Sequence, residues 1–410
     1  MCPAFGALRL LTRIEGSQVA MVTDQGCLYG LTFVTHFYGS RKSLIAPSLG
    51  TAELMDGKVV EGARLAIETA AREPGVRIIP VVSLCVAETA GLPEELLPRQ
   101  ANGAEVILVR VPAYAIHSHP EAKDVAVQAL LQRLGDHTGP REPKTVVLLG
   151  EVFPADPLAI EGLLRKMGVE ATIALPGRNV EDFVRAGRAA AVAPLHPFYK
   201  LTSNLFRSWG TPVVGGAPVG VSGTFAWLRA LGNTLGLDPD LVLEVANEER
   251  ERAQAVVRSQ TRTGNVFVTG YEGTELAYAR VLVEAGFTVP YVSTSIGNDP
   301  LVLPDEMWLR AHGTQEIAYR KALEDDLQAL DKYPVDFVLG TTTFAAAAKE
   351  RGIPALYFTN QLASRPFFLS GGMAAIGAMV DQALGTGARY EALRSYFNEF
   401  NEEPVNALGG

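Results

Sequence analysis

Short apolar runs alternate with longer segments whose apolar residues recur at helical spacing, along nearly the whole chain. Runs at 19–23, 78–84, 106–111, 145–149, 213–214, 266–269, 337–339 and 355–358 predict strands. Several, such as Val-Val-Leu-Leu at 146–149 and Val-Phe-Val at 266–268, are wholly apolar. That predicts strands covered by helices on both faces, and the strand–helix alternation predicts parallel α/β sheets.

The pattern also repeats. Residues 145–150, Thr-Val-Val-Leu-Leu-Gly, lead into a helical segment through 163–167, then Gly168 and a run at 170–175. Residues 265–270, Asn-Val-Phe-Val-Thr-Gly, lead into a helical segment through 282–285, then Gly286 and a run at 288–293. Each glycine suits the left-handed position that ends a helix. Both units later reach a matched phrase: Arg-Ser-Trp-Gly-Thr-Pro-Val-Val at 207–214 and Lys-Glu-Arg-Gly-Ile-Pro-Ala-Leu at 349–356. The first part of the chain has the same alternation with different punctuation, and the proline-rich stretch at 138–143 reads as a boundary. Three Rossmann-like, doubly wound α/β domains are expected. They span 1–142, 143–259 (closing on a long polar helix near 238–258) and 260–410 (closing on two helices between 372 and 400).

Composition narrows the function. Of the 410 residues, 48% are hydrophobic and 20% charged, enough for large cores. A net charge of −9 without a Lys/Arg cluster argues against a nucleic-acid partner. No run of about 18 apolar residues predicts a membrane span. The opening Met-Cys-Pro-Ala-Phe-Gly lacks the charged and apolar regions of a secretory signal, so a cytoplasmic chain is expected. Residues 39–43, Gly-Ser-Arg-Lys-Ser, do not make a phosphate loop, and the glycine-rich stretch 215–220 is interrupted by Pro218. If ATP or a nicotinamide cofactor drives the chemistry, another polypeptide binds it.

Cys2, Cys27 and Cys85 are the only cysteines, and all lie in the first 85 residues. An odd number argues against a disulfide framework. Cys27 and Cys85 each follow a predicted strand and precede a helical segment, the edge where open α/β sheets place ligands. Two readings stay open on chemistry alone. Free cysteines commonly pack as small hydrophobes. Thiolates in loops near helix starts also suit an iron–sulfur cluster, and three from one chain would leave the fourth ligand to another subunit. Among the six histidines, His117 and His119 form His-Ser-His, read as a solvated loop in preference to a metal site. His36 ends the helical segment after Cys27, where a cation stabilises a helix C-terminus.

Three phrases carry a resemblance: Met-Cys-Pro-Ala-Phe-Gly at 1–6, Cys-Leu-Tyr-Gly-Leu-Thr-Phe-Val-Thr-His-Phe-Tyr-Gly at 27–39, and Leu-Cys-Val-Ala-Glu-Thr-Ala-Gly at 84–91. Together they resemble the cluster-binding signatures of the Y-subunit family of chlorophyllide a oxidoreductase, within the nitrogenase-like component 1 superfamily. Glu-Ala-Lys-Asp at 121–124 and Ala-Leu-Tyr-Phe-Thr-Asn at 355–360 are similar to that family as well.

The resemblance implies a nitrogenase component 1 type fold and a heterotetramer with a Z-type catalytic subunit. A separate X-type iron–sulfur reductase would hydrolyse ATP. It further implies a 4Fe–4S cluster held by Cys2, Cys27 and Cys85 and completed by a cysteine of the Z-type subunit. Electrons would pass singly through it to chlorophyllide a, reducing the ring-B C7=C8 bond in bacteriochlorophyll biosynthesis. The resemblance names no catalytic residue; His36 is the titratable group nearest a cluster phrase and a candidate proton donor, with a second proton from the partner subunit or the substrate's own carboxyl. Phe33, Phe37 and Tyr38 either line the substrate cavity or form ordinary helix core, the reading preferred. Members of that family commonly carry an extension before the Met-Cys-Pro phrase on which this chain begins, so either the true start lies upstream or a partner surface orders the ligand at position 2. The rival expectations are an N-type subunit of light-independent protochlorophyllide reductase or another nitrogenase-like tetrapyrrole reductase, a non-catalytic cofactor-assembly scaffold, and a tandem Rossmann metabolite-binding protein with inert cysteines.

Overall fold

The computed structural model describes residues 2–37, 44–47, 49–150, 157–260, 263–271, 273–294, 300–319, 322–358, 361 and 367–402. Its strands form three sheets. The first contains β1 (Ala20–Val22), β2 (Ile78–Ser83), β3 (Gln100–Ala101) and β4 (Ala104–Arg110), in the order β1-β2-β4-β3. The second contains β5 (Glu142–Leu149), β6 (Ala171–Leu175) and β7 (Ala189–Pro194), in the order β6-β5-β7. The third contains β8 (Val266–Thr269), β9 (Tyr291–Thr294), β10 (Glu316–Tyr319), β11 (Phe337–Gly340) and β12 (Ala355–Tyr357), in the order β10-β9-β8-β11-β12. All pairings are parallel except β3 with β4. That hairpin turns on Asn102 and Gly103, both at positive φ as a tight two-residue turn demands.

The apolar runs became the covered strands. Every residue of β2, β8, β9 and β11 is buried. Three strands carried too little signal to be predicted, one of them the two-residue β3. β7 (Ala-Ala-Ala-Val-Ala-Pro) is built mainly from alanine, a poor strand former, and β10 is an edge strand with one buried residue. Residues 213–214, predicted as a strand, contribute only a single bridge, Val192 with Val213.

The repeat is visible in the backbone. The helices Pro157–Lys166 and Glu275–Glu284 run out into Gly168 at φ +94° and Gly286 at φ +99°. The matched phrases follow the helices Lys200–Ser208 and Thr342–Glu350, with Gly210 and Gly352 also left-handed. The long polar helix is Pro239–Ser259, and the closing pair is Leu369–Leu384 and Gly387–Glu402. Among the described residues, no helix is long and apolar enough to cross a membrane.

The chain packs as two compact units. One comprises residues 1–150, 169–194 and 198–213, the other 151–168, 195–197 and 214–410. In the first unit, Ile79, Val81 and Ile67 lie in a core around β1, β2 and β4, while in the second Phe267, Val338 and Phe344 anchor another. Also within the first unit, the helix Ala4–Leu11 packs on the helix His119–Leu134. The approach is close at Gly6, where an added Cβ would come within 2.2 Å of the His119 carbonyl oxygen. Only glycine permits that spacing, and it fixes the segment carrying Cys2.

Candidate metal centre at the edge of the first sheet

Parallel pairing sets Val22 of β1 beside Ser83 of β2, and Ser83 beside Arg110 of β4. The three strands therefore release their loops side by side. The register continues past the strand ends, with Leu84 N–H donating to the Val22 carbonyl at 3.2 Å and Val111 N–H to the Ser83 carbonyl at 3.0 Å. Cys27 comes from the first loop and Cys85 from the second.

Cys85 opens the short helix Cys85–Thr89. That helix is anchored by Glu88, which pairs with both the Ser83 hydroxyl and Arg110. The third loop supplies a donor, Ala113 N–H, to the Cys85 sulfur at 3.1 Å. Cys85 is half-buried.

Cys27 lies in the first turn of the helix Gln25–Phe37 and is exposed. Asp24, just ahead of that helix, accepts the Gly26 and Cys27 N–H groups at 2.8 and 3.1 Å. Partial burial draws the Asp24 carboxyl up, but these bonds and one from the Cys27 thiol outweigh it and hold the group below the usual carboxylate range. Burial, then Asp24, pushes the Cys27 thiol up, while a hydrogen bond from Thr23 eases it down. Cys2, half-buried ahead of the Ala4–Leu11 helix, is also raised by burial and eased by the Ala4 N–H.

The three thiols sense one another: Cys85 raises Cys2, and Cys2 raises Cys27. None is a buried hydrophobe, and the Cys85 sulfur accepts the Ala113 N–H. Among the described residues, no three His, Cys, Asp or Glu side chains close on a single-ion site. Of the groups around the cysteines, Asp24 had a sequence signal, an aspartate directly before a helical run. Ala113 and the Glu88–Arg110 pair had none.

The neighbouring residues divide. His36 is exposed near the end of the Gln25–Phe37 helix. Phe33 is 64% exposed and Tyr29 80%, so the expectation of ordinary helix core for Phe33 is corrected. The cause is that this helix turns only part of its circumference, including Leu31, inward. The Phe37 side chain and Tyr38 lie outside the described residues, as do positions 39–43. His117 is exposed as expected, but His119 is the first residue of the helix His119–Leu134 and packs edge-on to Phe5 at 5.3 Å. Burial, then the charge of Lys123, drives His119 down to about 3, so it is neutral near pH 7. The Ser118 and Glu121 side chains start that helix, Ser118 Oγ accepting the Glu121 N–H at 3.3 Å and Glu121 accepting the His117 N–H at 3.1 Å.

The glycine-rich stretch ending at Gly220 does open a long helix, Gly220–Thr234, in the second unit. Its N-terminus is taken by the protein itself. Glu284 accepts the Val221 and Ser222 N–H groups and the Ser222 hydroxyl, and pairs with Arg280 at 3.1 Å. A carboxylate thus sits where a dinucleotide-binding loop would receive phosphate.

A family profile described as nitrogenase component 1 type oxidoreductase matches residues 2–384, a span that includes all three cysteines. The chain is 37% identical over 407 residues to the chlorophyllide reductase 52.5 kDa chain of Cereibacter sphaeroides, covering 97% of this chain and 81% of that protein. It is 35% identical over 412 residues to the chain of the same name from Rhodobacter capsulatus, covering 98% and 83%. The solved structure of nitrogenase Cp1 at pH 6.5 superposes with a TM-score of 0.76 at 20% identity, over 100% of this chain and 95% of that one, which is a likeness of fold. With three parallel sheets and a profile match over nearly its whole length, this chain belongs to the nitrogenase component 1 type oxidoreductases.

Proposed function

We propose that this chain is the Y-type catalytic subunit of a light-independent chlorophyllide a reductase. It would pair with a Z-type subunit in a heterotetramer and be served by a separate ATP-dependent iron–sulfur reductase. The product would be the ring-B C7=C8-reduced macrocycle of bacteriochlorophyll biosynthesis. Three domains of one sheet each, 1–142, 143–259 and 260–410, belong to the same proposal.

One observation carries the reading. The only three cysteines of the chain gather at one edge of the first sheet, Cys27 exposed and Cys2 and Cys85 half-buried, within electrostatic reach of each other. The donor set fits a 4Fe–4S cluster: three soft sulfur ligands from one chain, none of them fully buried, with the Ala113 N–H donating to Cys85. A four-iron cluster gives each thiolate its own iron, so the ligands need not close on one ion as a single metal requires. When bound, the cluster supplies one-electron transfer. Cys2, Cys27 and Cys85 would hold three corners, and the fourth would come from the Z-type subunit.

Exposure of Cys27, Tyr29, Phe33 and Tyr114 supports a neighbour at this edge, because exposed aromatics beside a half-made site suit an interface. The chain's own residues then orient the site. Glu88 and Arg110 hold Cys85 in place, Asp24 fixes the start of the Cys27 helix, and the Gly6 contact holds the Cys2 segment. In this proposal His36, about 14 Å along the helix from Cys27, donates a proton to the substrate.

Anaerobic co-production with a Z-type partner tests this. About four irons per Y–Z pair are expected, with loss of most of that iron in Cys27→Ala and in Cys85→Ala. Full iron in either variant would eliminate the assignment. Supplying chlorophyllide a and protochlorophyllide in separate reactions, with the reductase and ATP, should give a shifted product absorption band only with the first. Conversion of protochlorophyllide alone would move the chain to the N-type function, and binding without turnover would make it a scaffold.

A further inference from the structure

We propose that Asp24 is an electrostatic positioning residue for the cluster, its fixed negative charge beside the Cys27 sulfur lowering the cluster's reduction potential. The inference rests on the ligand assignment above and deepens it. Asp24 is held in place from two sides. Oδ1 accepts the N–H groups of Gly26 and Cys27 at 2.8 and 3.1 Å, and Oδ2 lies 3.4 Å from the Thr23 hydroxyl. The same carboxylate is thereby tied to the backbone of the residue that carries the ligand sulfur. It cannot swing away without giving up the start of the Gln25–Phe37 helix.

Capping alone does not call for an acid here. Asparagine and serine cap helices about as well as aspartate, so the charge is a property the helix does not require. Its full unit of charge exceeds the roughly half unit of opposite sign at the helix start. A negative charge bonded to the backbone N–H of a ligand cysteine disfavours the incoming electron, and a partner covering this exposed edge would remove the water that screens it. The step concerned is one electron entering the oxidised cluster from the ATP-driven reductase and leaving for the tetrapyrrole. No bond is made or broken at Asp24.

Two neutral caps, Asp24→Asn and Asp24→Ser, separate charge from structure in the complex with the Z-type partner. Iron content, circular dichroism and a potentiometric titration read by electron paramagnetic resonance are measured for each. Wild-type iron with an upward shift in both variants is expected, on the order of tenfold more reduced over oxidised cluster at the same ambient potential, which is about 59 mV for one electron. Asp56→Asn, the same charge change at an exposed site paired with Lys58, should leave the potential in place. Full iron with an unmoved potential would overturn the tuning role and leave the ligand assignment standing. Loss of iron in a folded Asp24→Asn protein would also overturn it, making the carboxylate a ligand. If the wild-type complex itself lacks a cluster, it is the underlying assignment that fails.

Discussion

Asp124 is 2% exposed, yet it is the carboxylate that closes the phrase Glu-Ala-Lys-Asp. Its oxygens accept the Leu201 and Thr202 N–H groups at 2.6 and 2.9 Å, capping the Lys200–Ser208 helix from 77 positions away. Glu121 starts its own helix and Lys123 lies 5.9 Å from the Phe198 ring centre, so the whole phrase is absorbed by packing within the first unit. Burial raises Asp124 to about 6, overriding the N–H groups that pull the other way. The sign follows from linkage. Between about 4 and 6 the folded protein holds a proton that the unfolded chain has released, so this group's contribution to stability falls as pH rises through that window. The slope is at most about 1.4 kcal/mol per pH unit. Urea midpoints of Asp124→Asn should therefore gain on wild type from pH 4 to 6 and run parallel above it. Curves parallel throughout would refute the shift. At Cys27, the exposed thiol should alkylate faster than Cys2 or Cys85 in the isolated chain, as mass spectrometry of labelled peptides would record. Equal rates would contradict the geometry.

Among the elements, the helix Gly220–Thr234 illustrates how a nucleotide-like opening becomes structural. Gly220 sits at φ +64°, and an added Cβ would meet the Glu284 carboxylate at 2.7 Å. Arg280 joins Glu284 to Asp305 at 3.1 and 3.0 Å, with all three side chains largely buried, and its guanidinium stacks 4.7 Å from the Trp308 ring. Removing one member leaves a buried charge uncompensated, which costs on the order of 3 kcal/mol. Glu284→Ala should lose about that much in chemical denaturation, and Glu284→Gln less, because an amide still accepts one of the helix N–H groups. Equal stability of Glu284→Ala and wild type would remove the cap from the account. The repeated strand–helix–glycine unit is the other lesson at this scale. Gly168 and Gly286 were recognisable because a left-handed helix exit is a local demand on one residue. β7 and β10 went unrecognised because their pairing comes from neighbours in the sheet and not from their own residues.

For the whole molecule, the site faces outward. Cys27 with Tyr29, Phe33 and Tyr114 forms an exposed, partly aromatic edge on the first unit, on a chain whose net charge is −9. Under the proposed function this edge is covered by the Z-type subunit. Addition of the Z-type partner should slow alkylation of Cys27 at least tenfold while leaving labelling of exposed lysines elsewhere unchanged. An unchanged rate would argue that the partner binds at some other face. The contact pattern also cuts the chain differently from its sequence punctuation. The first and second sheets share one compact unit, while the intervening helix Pro157–Lys166 belongs to the other. Chain order alone does not reveal such an exchange, because neither segment changes its own hydrophobic period when it docks elsewhere.

The sequence by itself determined the parallel α/β class, the three sheets, the repeat and the placement of Cys27 and Cys85 after strands. Hydrophobic period and glycine punctuation are short-range signals that each segment carries alone. Only the tertiary structure decided that Cys2 joins the other two thiols, that Ala113 donates to Cys85, that His119 packs half-buried against Phe5, and that Glu284 closes a helix start 63 positions away. Those facts depend on which strand ends lie side by side and which helix crosses which, and a residue's chemistry in the folded protein follows from neighbours that its own stretch of chain does not name.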